Sequence, residues 1–267
     1  MSRILAALVL ATLALLAGGC PAKEVARPYP PPTVEDLLAR LAATRDQVQS
    51  FSAATTMDYW LDDQRVKGGV LVMGETGSKV RIHALSPAGG DVLADLSCDG
   101  TNYVFVDKQK NCQLTGPCSR ETIASLFNIA LAPDDFVQLA IGVTPVVPDA
   151  TGTVRWDGKK RKEILELTGS NGETQTIVLD ARDGHADVLT SEVKSPSGKQ
   201  EWRIDNTDFE TVKDESGMVR RVPGKSRFRS PGKNSDLLVI WNERRLGLAL
   251  TPEQFQQEVP PGLPRCR

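Results

Sequence analysis

Cysteines are the residues best equipped for chemistry in this 267-residue chain, and there are five. Cys20 stands alone near the start, while Cys98, Cys112, Cys118 and Cys266 form an even set. A thiol can be acylated, oxidised to a disulfide, used as a metal ligand or used as a nucleophile. Metal binding has little support, because no C-x-x-C occurs and the two histidines, His83 and His185, lie far from any cysteine in sequence. An even set in an exported chain favours disulfides, with three connectivities open. Cys266 would then staple a tail that would otherwise fray. Other chemistry finds no pattern. The chain has no G-x-S-x-G, no H-E-x-x-H and no dinucleotide fingerprint. Gly152 to Lys159 has one residue too many for a P-loop and no Ser or Thr after the lysine. Asp205, Asp208 and Glu210 lack the loop glycine and spacing of a calcium motif. His83 falls in a predicted strand and His185 in a predicted turn, where structural or solvated roles suffice. Trp60, Trp156, Trp202 and Trp241 are scattered and read as packing residues. The expectation is a protein that is not an enzyme, with no catalytic residue and no metal.

The residues before Cys20 explain its isolation. Ser2 and Arg3 form a short positive start, Ile4 to Leu16 an apolar run too short to span a bilayer comfortably, and Ala17-Gly18-Gly19 a small-residue stretch. This arrangement resembles the lipobox of bacterial lipoproteins, with Leu16 one place further upstream than usual. The resemblance implies a signal peptide over 1–19, cleavage before Cys20, diacylation of its thiol and acylation of the new amine. A plain signal peptide followed by a coincidental cysteine is the alternative. Pro21, rather than Asp, follows Cys20; by the sorting rule of Gram-negative lipoproteins this implies the outer membrane, periplasmic face, with inner membrane and cell surface left open. The covalent lipid is the only cofactor expected. Residues 20–32 then read as a tether: PAKEVARPYPPP favours polyproline II, whose rise of about 3.1 Å per residue gives roughly 30–40 Å.

Residues 33–267 read as a single domain. About 250 residues can bury a substantial core, and a net charge of −2 argues against a nucleic-acid surface. The short basic runs at Lys160-Arg161-Lys162, Arg220-Arg221 and Arg244-Arg245 fit solvated turns and strand ends. Thr33-x-x-Asp36 resembles a capping box, and Val34, Leu37, Leu38, Leu41 and Val48 repeat at helical spacing, predicting one amphipathic helix to about Ser50. The period then changes. Strands are predicted at 51–61, 65–73, 79–85, 91–98 and 102–106, separated by Asp-, Pro- and Gly-containing turns. If Asp99-Gly100 makes a tight hairpin, Cys98 and Cys112 could lie on adjacent strands. Helical spacing returns from Ser119 to Leu131, and Pro133-Asp134-Asp135 opens a second short helix ending at Gly142. Further strands are predicted at 153–156, 163–167, 174–179, 186–193, 200–205, 209–213, 219–222 and 237–241. Thr251-Pro252-Glu253 starts a last helical turn anchored by Phe255.

This order of elements resembles the LolA/LolB-like lipoprotein carrier superfamily. Lys79-Val80-Arg81-Ile82 followed by Ser86-Pro87-Ala88-Gly89 is similar to the family's arginine strand and "sP-x-G" turn. Cys98-Asp99-Gly100 followed by Tyr103 is similar to its "DG-x-x-aromatic" hairpin, Phe136 to Gly142 to its mid-domain apolar helix, and Pro252 to Gly262 to its terminal "P-x-x-F…P-x-G". The resemblance spans about Thr33 to Gly262. It implies a mainly β (α+β) fold: a strongly curved antiparallel sheet, an incomplete β-barrel, with the N-terminal helix and the mid-chain helices covering the concave face.

The resemblance also implies a partner. The concave face of this family binds acyl chains, of lipids or of lipoproteins, and removing alkyl groups from water is worth about 0.8 kcal/mol per CH₂. Apolar pairs at two-residue spacing can line such a face: Val70 with Val72, Val80 with Ile82, Tyr103 with Phe105, and Ile177 with Leu179. Leu126, Phe127, Phe136, Val137 and Leu139 could supply a lid. A filled core has the same alternation, so the pattern leaves cavity and core both open. The expected role is that of a membrane-anchored, LolB-like receptor. The alternatives are a scaffold that docks an envelope protein with the same fold, and an envelope hydrolase with an unrecognised site. The four extra cysteines depart from the family pattern, and a disulfide near the helices could restrict opening.

Overall fold

The computed structural model describes residues 24–61, 64–87, 90–119, 121–122 and 132–266. Cys20, the signal-peptide region, and the proposed lid residues Leu126 and Phe127 lie outside them. The backbone forms α1 (Val34–Gln47), β1 (Ser50–Leu61), β2 (Gln64–Glu75), β3 (Lys79–Leu85), β4 (Val92–Asp99), β5 (Asn102–Asp107) and β6 (Cys112–Pro117). It continues through α2 (Pro133–Ala140), β7 (Thr151–Asp157), β8 (Lys162–Thr168), β9 (Thr174–Asp180) and β10 (Asp187–Lys194). It ends with β11 (Gln200–Lys213), β12 (Val219–Ser230), β13 (Ser235–Leu246) and a 3₁₀ turn at Pro252–Phe255. Among the described residues, no helix is long and apolar enough to cross a membrane.

All the strands join one open antiparallel sheet in the order β6-β5-β4-β3-β2-β1-β13-β12-β11-β10-β9-β8-β7. Two meanders, β1 to β6 and β7 to β13, are therefore zipped together by a single long-range pairing, β1 with β13. The sheet stays open, with β6 and β7 as its edges. Short turns, several of them Asp-Gly or Asn-Gly, make each meander local, whereas the β1–β13 pair needs distant parts of the chain to meet.

Several elements differ from the sequence reading, each for a physical reason. The capping box forms as expected: Thr33 N–H donates to Asp36 Oδ2 at 3.0 Å and Asp36 N–H to Thr33 Oγ1 at 3.1 Å. But α1 stops at Gln47, because Val48 turns extended to let β1 begin at Ser50. β6 has no range in the sequence reading beyond the strand suggested for Cys112; its short alternation of Cys112 and Leu114 with Gln113 and Thr115 is completed by the ladder that the β5 edge offers. Strands predicted at 200–205 and 209–213 are one strand, β11. Between them Asp208 takes a left-handed φ of +55° opposite Gly224, where a Cβ would meet Asp208 O at 2.6 Å, and the register with β12 is the same on both sides of it. β12 runs on to Ser230 although only Phe228 is a large apolar residue beyond Gly224. Its inward residues include Ser226 and Phe228, while Lys225, Arg227 and Arg229 pair outward with Asp208, Asp236 and Asp205.

The cysteine pairing is Cys98–Cys118 and Cys112–Cys266, with Cα atoms 5.9 and 4.9 Å apart. Cys98 and Cys112 are not on adjacent strands, since β5 lies between β4 and β6. Cys266 does staple the tail, which also lays Arg265 beside Gln113 as a parallel bridge.

The segment expected to be a free tether is docked on the domain from Glu24 onward. Val25 N–H donates to Gly158 O at 3.0 Å, and Trp156 Nε1–H donates to Val25 O at 2.7 Å. Arg27 makes two bonds of 2.7 and 2.8 Å to Glu163, whose side chain is fully buried. Tyr29 packs edge-on to Trp156 at 5.9 Å. A proline-rich chain pays little entropy on docking, and Glu163 needs a cation to stay buried.

Candidate functional site

One face of the sheet carries nearly all the apolar side chains, and the strand registers show how. A single row crosses Val154, Leu165, Ile177, Ser191, Ile204, Phe228, Leu237 and Tyr59. A second crosses Ala53, Val72, Ile82, Leu96, Phe105 and Leu114 on the other meander. The four pairs read from the sequence all point to this face. Period-two alternation along each strand, held in register by the hairpins, puts them there.

Burial divides the face in two. Val72, Val80, Tyr103, Phe136, Val137, Leu139, Ile177 and Leu179 belong to one contiguous buried core. They contact one another and the two helices rather than lining an opening. α1 contributes Leu37 and Leu41, and α2 contributes Phe136, Val137 and Leu139. α2 sits so close over β2 that a Cβ on Gly74 would lie 2.7 Å from Phe51 and 3.1 Å from Val137. Val70 is buried as well. The rest of the face is half-open. Met57, Tyr59, Ile82, Phe105, Leu114, Val154 and Trp202 are partly buried apolar residues at the margin of the core. Of the residues expected to line a cavity, Ile82 and Phe105 therefore lie on the accessible strip. Met57, Tyr59, Leu114 and Trp202 were missed, although Phe51, Ala53, Thr55, Met57 and Tyr59 alternate along β1 as Val70 and Val72 do along β2.

A concavity of about 260 Å³ also opens between α1 and the chain after α2, lined by Leu38, Leu41, Ala42, Val143, Val146 and Val147 among others. Ligand pockets for small molecules run from about 300 Å³ upward, so this one is small for an acyl chain.

A buried cation fixes α2 to the sheet, and sequence analysis had placed it in a solvated basic run. Arg244 points inward opposite Ala53, with its side chain 1% exposed. It donates to Ala140 O at 2.7 Å, Pro223 O at 2.7 Å and Glu210 at 2.9 Å, and lies 5.1 Å over the Trp241 ring. Burial pushes the guanidinium down to about 10, against the pull of Glu210. Ala140 O is a terminal carbonyl of α2, so the cation also answers the helix dipole. Gly142 then lets the chain leave at φ +80°, where a Cβ would strike Pro223 at 2.6 Å. The Cys98–Cys118 bridge ties β4 to the segment that follows β6.

The opposite face of the sheet carries charge pairs. Arg81 holds Asp95 through bonds of 3.0 and 2.6 Å, approaches His83 Nε2 at 3.0 Å, and donates to Gln256 O at 2.8 Å. It thereby pins the C-terminal turn, whose Phe255 is buried as anticipated. Burial lowers the His83 pKa, with Asp95 opposing. Asp205 pairs with Arg203, Asp208 with Lys225 at 2.6 Å and Glu210 with Arg244, so these three acids do not converge. No group of metal-ligating side chains occurs among the described residues. The tryptophans split: Trp241 is buried and donates to Ser226, Trp202 stacks on Phe228, Trp156 holds the N-terminal segment, and Trp60 is 43% exposed beneath Arg65.

No protein-family model and no curated protein matches the sequence. Solved structures do match. The chain is similar to a LolA superfamily protein from Nitrosomonas europaea at 12% identity, with 85% of this chain and 99% of that one covered and a TM-score of 0.54. It is similar to a DUF1329 family protein from Desulfovibrio piger at 12% identity, 84% and 95% coverage and a TM-score of 0.56. It is also similar to an outer membrane lipoprotein-sorting protein domain from Vibrio parahaemolyticus at 10% identity, with the same coverage and TM-score. The chain has the LolA/LolB-like fold, in a version whose sheet is stapled by two disulfides.

Proposed function

We propose that this chain is a lipid-anchored protein of the bacterial envelope whose half-open apolar strip receives an acyl chain, in the manner of a fixed receptor. The strip of Met57, Tyr59, Ile82, Phe105 and Leu114 carries the reading: apolar side chains left partly exposed on the concave side of a fold otherwise filled by core. Such a strip gains free energy by covering itself with alkyl groups, at about 25 cal/mol per Å². It offers no group for covalent chemistry. Acylation of Cys20 would hold the protein at a membrane, since two or three chains anchor stably where one does not. A receptor role follows, because an anchored protein cannot shuttle.

The test uses a soluble form beginning at Pro21, which keeps the docked segment. Lipid co-purifying with it, identified by mass spectrometry, and displacement of a fluorescent fatty acid support the reading. Ile82→Asp and Met57→Arg should each weaken fatty-acid binding at least tenfold while leaving the fold intact by circular dichroism. Absence of both bound lipid and displacement overturns it. One observation favours a second reading, a scaffold that docks an envelope protein: the Cys98–Cys118 bridge ties β4 to the chain that follows β6 on its way to α2 and so opposes opening. Reduction of that bridge would speed lipid exchange under the first reading and leave the scaffold's binding unchanged.

A further inference from the structure

We infer that the β7–β8 turn is the end of the domain that faces an anionic bilayer surface, held there by the docked N-terminal segment. The inference rests on acylation of Cys20 as proposed above. The docked segment makes the lead between anchor and domain short. Val25 is bonded through both its N–H and its carbonyl to Gly158 and Trp156. The chain from Cys20 to Val25 can extend at most about 18 Å, roughly half the reach of a free tether. The lipidated end must therefore enter the membrane within about 18 Å of Val25, on the side of the domain that carries the β7–β8 turn.

The turn at that point is basic. Lys159, Lys160 and Arg161 are exposed, and among the described residues none has a carboxylate partner. Asp157 accepts the N–H groups of Lys159 and Lys160 at 3.0 and 2.9 Å at the surface, and Glu24 is the other acid beside the turn, so three cations stand against two acids. The remaining positive charge suits a surface of anionic phospholipid headgroups, whose field fades within about 10 Å at moderate salt. A lead of this length keeps the turn near that range. The antiparallel registers put the β12–β13 turn, with exposed Lys233, at the opposite end of the strands. The tip of the β1–β2 hairpin, with Trp60 and Val66 exposed, lies at that far end too. The anchored domain thus presents the β1–β2 tip away from its own membrane, while exposed Met218 and Val219 beside the β11–β12 turn lie at the membrane end with the basic turn.

The experiment uses the full, lipid-modified chain in vesicles of phosphatidylethanolamine and phosphatidylglycerol. A fluorophore is placed through Lys160→Cys or, separately, Lys233→Cys, and headgroup-nitroxide lipid is the quencher. The expected result is several-fold stronger quenching at position 160 than at 233. Inserting about twenty Gly/Ser residues after Ala22 lengthens the lead without touching the docked contacts, and should erase the difference. Equal quenching at the two positions in the uninserted protein, or stronger quenching at 233, overturns the inference. So does a difference that survives the insertion in vesicles of phosphatidylcholine alone. Mass spectrometry of the N-terminal peptide reads Cys20 acylation separately. An unmodified Cys20 removes the anchor and the inference with it, while equal quenching on an acylated protein removes the inference alone.

Discussion

Replacing Arg27 with alanine should cost about 3 kcal/mol, and the geometry says why. Arg27 is the bidentate partner of Glu163, at 2.7 and 2.8 Å, and the Glu163 side chain has no exposed surface. Removing one partner of a buried pair typically costs about 3–5 kcal/mol, because the remaining charge is left unsolvated. The full cost is not reached here, because the N-terminal segment can lift and admit water. Lifting forfeits the two Val25 hydrogen bonds, each worth about 1 kcal/mol, and the edge contact of Tyr29 on Trp156, worth about 0.5–1.5 kcal/mol. The cheaper of the two routes sets the loss near 3 kcal/mol. For a chain of this size that lowers Tm by roughly 6–12 °C. Urea unfolding gives the global figure, and hydrogen exchange at the Val25 amide reports the local lifting. Replacing both Arg27 and Glu163 by methionine should restore most of the stability, since apolar side chains of similar volume need no partner. A loss below about 0.5 kcal/mol for Arg27→Ala, with Val25 protection unchanged, would refute the claim that this pair holds the segment down.

The other predictions concern the rest of the frame. The Cys112–Cys266 bridge closes a separation of 154 residues and Cys98–Cys118 one of 20; on loop-entropy grounds, Cys112→Ser with Cys266→Ser should destabilise by about 4–5 kcal/mol and the shorter pair by about 3, as read by urea unfolding. Ser216 Oγ first, then Arg220 and the Met218 N–H, hold the Asp214 carboxyl down at about 2. The unfolded carboxyl titrates near 4, so this contribution is complete above that pH and is lost as pH falls toward 2; Asp214→Asn should flatten that limb of the stability curve. Gly142→Val combines a left-handed φ with a clash against Pro223 and should cost about 3 kcal/mol or more, seen as a drop in Tm with α2 amides losing protection first. Arg244→Met keeps the volume but loses both carbonyl contacts, and should loosen α2 in hydrogen exchange more than it changes β7 to β9.

Much of the fold was legible because it is local. Period-two alternation, Asp-Gly and Asn-Gly turns and one capping box specify a meandering sheet and a first helix residue by residue. The face on which Ile82, Phe105 and Ile177 lie was readable for the same reason. What alternation cannot carry is whether an inward side chain meets a neighbour or open space. Val72 and Ile82 are paired across β2 and β3 and look alike in sequence, yet Val72 is buried and Ile82 is half-open. That depends on where α2 comes to rest, which Arg244 at Ala140 and Pro223 against Gly142 decide from far along the chain. Arg244 itself reads as a surface cation until its register opposite Ala53 turns it inward.

The chain by itself determined the period of its strands, the positions of most turns, the even set of cysteines and the export-like start that isolates Cys20. These follow from covalent geometry and the partition of side chains between water and an apolar face. Only the tertiary structure decided which cysteines pair, that the proline-rich segment lies down on β7 and β8, and which part of the concave face stays uncovered. Each of those depends on contacts between residues distant in sequence, where a buried charge such as Glu163 or Arg244 is tolerable only once its partner has arrived.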